Sequence, residues 1–137
     1  MEFENFIKEG KVRKSSIDNM LIKSLKLSAE NDLEFLDSLK INQQSARKIM
    51  SDYYEVLRSL VEAIAMVNGF KVYSHEAFTY FLLKINENNA SLKFDRFRKI
   101  RNGIKYYGKD CDIIDTKQAI LLADKIITKL KEKFIFK

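Results

Sequence analysis

Between residues 42 and 69 the apolar positions of this 137-residue chain fall on two adjacent stripes. Ile49, Tyr53, Val56, Leu60, Ile64 and Val67 recur at the spacing of one helix face, and Ala46, Met50, Leu57, Val61 and Ala65 run beside them. Side by side they bury a wide arc, which predicts a central helix capped by Asn42 and stopped by Asn68-Gly69. Upstream, Ile17, Met20, Leu21 and Leu25 mark a narrower stripe that resumes with a phase change at Leu33, Leu36 and Leu39. A first helix broken near Ser28 to Asn31 is the expectation. Downstream, Ser74 caps a third helix with Glu76 in its first turn, and Asn86, Asn88 and Asn89 end it. A fourth helix is expected from Ser91 or Leu92 to about Gly108. A fifth, capped by Asp115 or Thr116, turns Ile120, Ala123, Ile127, Leu130 and Phe134 inward.

Composition narrows the fold class. The chain has no proline and four glycines, whereas a sandwich or barrel needs turn residues at short intervals. The reading is all-α: an up-and-down bundle of four to five helices in a single domain spanning 1–137, without repeats or linker-like stretches. A 46% apolar chain of this length buries a core without metals or disulfides. Cys111 has no second cysteine to pair with, and no uncharged run approaches the roughly 18 residues of a membrane span. The start, "MEFENFIKEGK", lacks the apolar core of a secretory signal. A cytoplasmic, reduced protein with no membrane association is expected.

Charge then singles out one segment. Lys and Arg outnumber Asp and Glu by 25 to 19, and "FRKIRNGIKYYGK", Phe97 to Lys109, holds five of the bases and no acid. On a helical wheel Phe97, Ile100, Ile104 and Tyr107 share the core-facing arc, while Arg98, Arg101 and Lys105 form a ridge along its border. Like charges so spaced repel by only about 0.2–0.5 kcal/mol per exposed pair. The ridge therefore points to an anionic ligand only where it is buried, and is otherwise a solvated helix face. Arg101 suits a phosphate because a planar guanidinium grips it bidentately and keeps its charge. Asn102 either hydrogen-bonds a phosphate or base or shapes the turn at Gly103. Tyr106 projects away from the arc, free to stack on a base or fill an interface, and Gly108 reads as a C-cap.

Other polar groups read as structural. His75, the single histidine, opens the third helix, where the N-terminal dipole disfavours imidazolium, so a neutral hydrogen-bonding role is expected. Asp110, Asp112 and Asp115 lack the glycine and terminal glutamate of an EF-hand. His75 and Cys111 have no metal-ligand spacing, so no metal or cofactor is expected. Glu55, Arg58 and Glu62 form a salt-bridge ladder along their helix or, facing Arg101, would position its guanidinium.

"FDRFRKIRNGIKYYGK", with "DYYEVLRSLVEAIAMVNGFKVYSHEAF" upstream, resembles the HEPN superfamily (higher eukaryotes and prokaryotes nucleotide-binding domain), small all-α proteins common in prokaryotes. The resemblance runs from Ser45 to the C-terminus and is strongest at Arg101-Asn102. It implies a bundle that dimerises so that the motif helices of two subunits flank a positive cleft. Many members are metal-independent ribonucleases, including toxins paired with nucleotidyltransferase antitoxins; others bind nucleotides or have lost activity. The family's nuclease motif is Arg, four to six residues, then His, and from Arg101 those positions hold Tyr106, Tyr107 and Gly108. A phenol, with a reference pKa near 10, is a poor base for 2′-OH attack beside an imidazole. The leading expectation is a homodimeric RNA- or nucleotide-binding protein, its cleft built from Arg98, Arg101, Asn102, Lys105 and Tyr106 and its nuclease activity weak or lost. The alternatives are an active toxin-type ribonuclease using Arg101, Asn102 and Tyr106, and a helical module pairing with a nucleotidyltransferase.

Overall fold

The computed structural model describes residues 1–135, so the last two positions of the expected 1–137 domain lie outside the described residues. In chain order they form α1 (Phe3–Lys8), β1 (Val12–Lys14), α2 (Asn19–Asp37), α3 (Ala46–Val67), β2 (Phe70–Val72), α4 (His75–Lys84), α5 (Asn88–Tyr107) and α6 (Ile113–Leu130). A π-helical turn, Lys131–Ile135, continues α6. The all-α bundle expected from the sequence is present, with one antiparallel pair of three-residue strands added to it.

α3 is the axis of the bundle, touching α2, α4, α5, α6 and β2. Both of its stripes are buried down to Ala65, and Val67 marks where the arc opens to solvent. The helix stops as its sequence predicts: Gly69 takes φ +82°, and the Asn68 amide donates back to the Ile64 carbonyl at 2.8 Å. Gly69 is needed twice over, because its carbonyl accepts from Ser15 N at 2.7 Å and a Cβ there would lie 3.2 Å from the Ser15 oxygen.

The start of the chain departs most from expectation. α1 sets Phe3 against Phe70 and Phe81 (ring centroids 5.2 and 5.6 Å) and Phe6 against Tyr80 (5.3 Å). β1 pairs with β2 in the register Val12 to Val72, Arg13 to Lys71 and Lys14 to Phe70. α2 runs unbroken through Ser28 to Asn31, because its true stripe is Leu25, Ala29, Leu33 and Leu36, in phase throughout, with Ala29 fully buried. Met20 is 84% exposed, and Ile17 precedes the cap: Asp18 Oδ1 accepts from Leu21 N at 3.0 Å. Leu39 lies beyond the helix end and is exposed.

Caps account for the remaining shifts. Asn42 caps a turn before α3, its Oδ1 accepting from Gln44 N and Ser45 N, both at 2.9 Å, and Ser45 occupies the N-cap position. Asn86, at φ +63°, turns the chain so that α5 starts at Asn88, and Asn88 and Asn89 open that helix instead of closing the previous one. α6 is capped by Asp112, which accepts from Ile114 N (2.7 Å) and Asp115 N (3.2 Å); Thr116, an expected cap, is buried. At the end of α5, Gly108 adopts φ +63° as a left-handed C-cap, but Tyr107 is 76% exposed where the wheel turned it inward. The core ends before the helix does: Phe97 is buried, Ile100 and Ile104 are half-buried, and Tyr106 and Tyr107 in the last turn are exposed. Among the described residues no helix is long and apolar enough to cross a membrane.

Candidate functional site

α3, the start of α4 and the C-terminal half of α5 enclose a cleft of about 930 Å³. α3 contributes Arg47, Lys48, Asp52, Glu55 and Arg58; α4 contributes His75; α5 contributes Arg101, Asn102, Lys105 and Tyr106. The polar ridge of α3 therefore faces the basic segment of α5, and His75 lies between them.

Arg101 is 8% exposed, the most buried cation of the cleft. Its Nη2 donates to His75 Nδ1 at 3.0 Å, its Cζ lies 4.9 Å from the centroid of the Tyr54 ring, and its Nε is buried with no partner. The Tyr54 hydroxyl donates to the same Nδ1 at 2.8 Å. No carboxylate pairs with Arg101 among the described residues. Glu55, which lines the cleft, and Glu62 farther along α3 are held by Arg58 at 3.0 and 2.6 Å. The ladder reading of Glu55, Arg58 and Glu62 thus holds, and Arg101 takes its side-chain contacts from His75 and Tyr54 instead.

The electrostatics follow from this company. Burial, then the Arg101 and Arg58 charges, hold the His75 imidazole below its ordinary value of 6.5, so the ring is neutral at pH 7. Burial pushes the Tyr54 hydroxyl up to about 12 although the Arg101 charge opposes it, so it keeps its proton. Arg58 titrates above its ordinary range: burial opposes this, but its bonds to Glu55 and Glu62 prevail. At neutral pH the inner wall is one uncompensated guanidinium resting on a neutral phenol and a neutral imidazole. A desolvated cation–π contact contributes about 2 kcal/mol, whereas burying an unpaired ion costs several.

Of the residues singled out from sequence, Arg101, Asn102, Lys105 and Tyr106 converge on the cleft and Arg98 does not. Arg98 is tied to its own helix, with Nη2 and Nε donating to Asp95 Oδ1 at 2.8 and 3.2 Å, and Lys99 takes the other oxygen at 3.0 Å. Asn102 is half-buried, and its amide has no hydrogen-bond partner among the described residues. Tyr106 is exposed with Lys105 Nζ 5.5 Å from its ring centroid. Two cations went unremarked, Arg47 and Lys48; their signal was the polar stripe Arg47, Ser51, Glu55 and Arg58 on the face of α3 away from its buried arc. Among the described residues no three His, Cys, Asp or Glu side chains gather as metal ligands would. Chemically the arrangement can accept an anion: a buried guanidinium in a low-dielectric wall, exposed lysines at the rim and an exposed ring for a planar group. Searches against protein-family models, curated proteins and solved structures returned no match to this chain.

Proposed function

We propose that this chain is a HEPN-like RNA- or nucleotide-binding protein that acts as a homodimer, with nuclease activity weak or lost. The observation that carries the reading is the Arg101 guanidinium, buried in the wall of a cleft with no carboxylate partner among the described residues. A phosphate supplies the missing countercharge, Asn102 brings an unengaged amide, Lys48 and Lys105 add charge at the rim, and Tyr106 offers a face to a base. Asp52 and Glu55 in the same cleft offset part of that charge, which favours a short stretch of backbone over a long electrostatic track. The test is retention of single-stranded RNA at low and moderate salt by the wild-type chain and by Arg101→Ala. At least tenfold weaker retention in the variant, with an unchanged melting temperature, is expected; equal affinity in the two proteins removes the reading.

The second reading is an active metal-independent ribonuclease, favoured by an imidazole 3.0 Å from the Arg101 guanidinium although none follows it in the motif. Incubation with RNA in EDTA, beside Arg101→Ala and Tyr106→Phe, decides it. Cleavage lost in both variants supports that reading, and cleavage retained in both assigns the activity elsewhere.

A further inference from the structure

His75 is the only histidine of the chain and its one imidazole in the cleft, so its protonation pattern decides what the cleft can do. Every guanidinium nitrogen carries hydrogen and none has a lone pair. Contact between Arg101 Nη2 and His75 Nδ1 at 3.0 Å therefore requires the lone pair to be on Nδ1, and the Tyr54 hydroxyl at 2.8 Å donates to the same atom. The ring proton is then on Nε2, and the half-buried ring lines the cleft. Charged groups face it from both flanking helices: Glu55 and Arg58 on α3, Arg101 and Lys105 on α5. Cations outnumber acids among them three to one: Arg58, Arg101 and Lys105 favour the neutral ring, and Glu55 alone opposes it.

We infer that His75 is the positioning residue of this cleft: its neutral Nδ1 fixes the Arg101 guanidinium while its Nε2–H serves as an uncharged donor to the same bound phosphate. This rests on the phosphate-binding reading above and deepens it. A ring held in this way is no general base. To take a proton from a 2′-hydroxyl, Nε2 would first have to lose its own, and moving it to Nδ1 would set an N–H against the Arg101 guanidinium, which has no lone pair to accept it. The cleft holds a phosphodiester and leaves it intact. The same geometry makes acid an antagonist of the site, because protonating Nδ1 places two cations at 3.0 Å and breaks the contact that orients Arg101.

One histidine means one set of imidazole signals, so a long-range proton–nitrogen correlation spectrum of the nitrogen-15-labelled chain reads the tautomer directly. The expected pattern at neutral pH is Nε2–H, with an acid transition below the ordinary imidazole range that moves upward in Arg101→Met. Adding a short oligouridylate shifts the Nε2 signal. His75→Asn keeps an oxygen acceptor near the place of Nδ1 but has no distal N–H; His75→Ala has neither. With thermal melts confirming that both are folded, RNA affinity falls roughly threefold in His75→Asn and at least tenfold in His75→Ala, and wild-type chain in EDTA leaves the RNA whole. An Nδ1–H tautomer, equal loss in the two variants, or cleavage lost in both would overturn the assignment, even if Arg101 still governs RNA retention. Nε2–H with no RNA retention by any of the proteins, and no Nε2 shift, would instead remove the phosphate-binding reading and the ligand role of Nε2 with it.

Discussion

Tyr53 and Tyr54 are consecutive on α3, both buried, and their hydroxyls enter opposite chemistries. Tyr53 donates to Asp37 Oδ1 at 2.5 Å, with the Asp124 carboxyl of α6 beside it. Tyr54 donates to His75 and lies under the Arg101 guanidinium. On the first side one hydroxyl serves two carboxylates and links α2, α3 and α6. On the second side no carboxylate pairs with the Arg101 guanidinium among the described residues. The difference separates a polar contact that ties three helices together from one that leaves a buried charge without a carboxylate partner.

Arg101→Met is the sharpest way to break that contrast. RNA retention is expected to fall at least tenfold, while the melting temperature holds or rises, because replacing a buried charge by a packed apolar chain is neutral to stabilising by about 1–4 kcal/mol. Arg58→Met is the control, since it strands Glu55 and Glu62 and should lower the melting temperature by several degrees. A drop for Arg101→Met as large as that for Arg58→Met would show the guanidinium to be structural.

Acid should move the two sides in opposite directions. The His75 pKa is lowered in the fold, so the native protein binds fewer protons than the unfolded chain just below pH 6.5, and the stability present above that value is lost as pH falls through the window. His75→Asn should flatten this limb of a melting-temperature profile. Asp124 is raised by burial and then by Asp37, against the Tyr53 bond. The native state takes that proton first, so stability grows as pH falls toward the ordinary carboxylate value of 3.8, and Asp124→Asn should abolish the gain. The smallest effect is Tyr53→Phe against Tyr54→Phe. The first should lose about 1 kcal/mol at neutral pH with RNA retention intact. The second should cost no more stability and weaken retention about twofold, since Nδ1 keeps its Arg101 contact.

Much of this was legible in the sequence, and the rest was hidden for physical reasons. The double stripe of α3, the Gly108 cap and the exposure of Tyr106 follow from periodicity and cap chemistry within one helix. β1 and β2 escaped because three residues are too few for alternation to register. The expected break is absent from α2 because Ile17 and Met20 precede the stripe that the helix buries. Tyr107 follows the wheel but lies past the point where the core ends. Arg101 was legible as a candidate, but its burial and its bond to a histidine 26 positions away were not, because a wheel describes one helix and that contact joins two. Arg98 fell out for the converse reason: Asp95, three residues before it, neutralises it locally.

The ladder between β1 and β2 also bears on how the molecule is made. Residues 12–14 leave the ribosome early, but their partners at 70–72 are translated only after the whole of α3, so the first segment must wait with Phe3 and Phe6 uncovered. α5, the bearer of Arg101, is translated later still, after the segments that carry Tyr54 and His75. The phenol and the imidazole therefore leave the ribosome before the cation that rests on them.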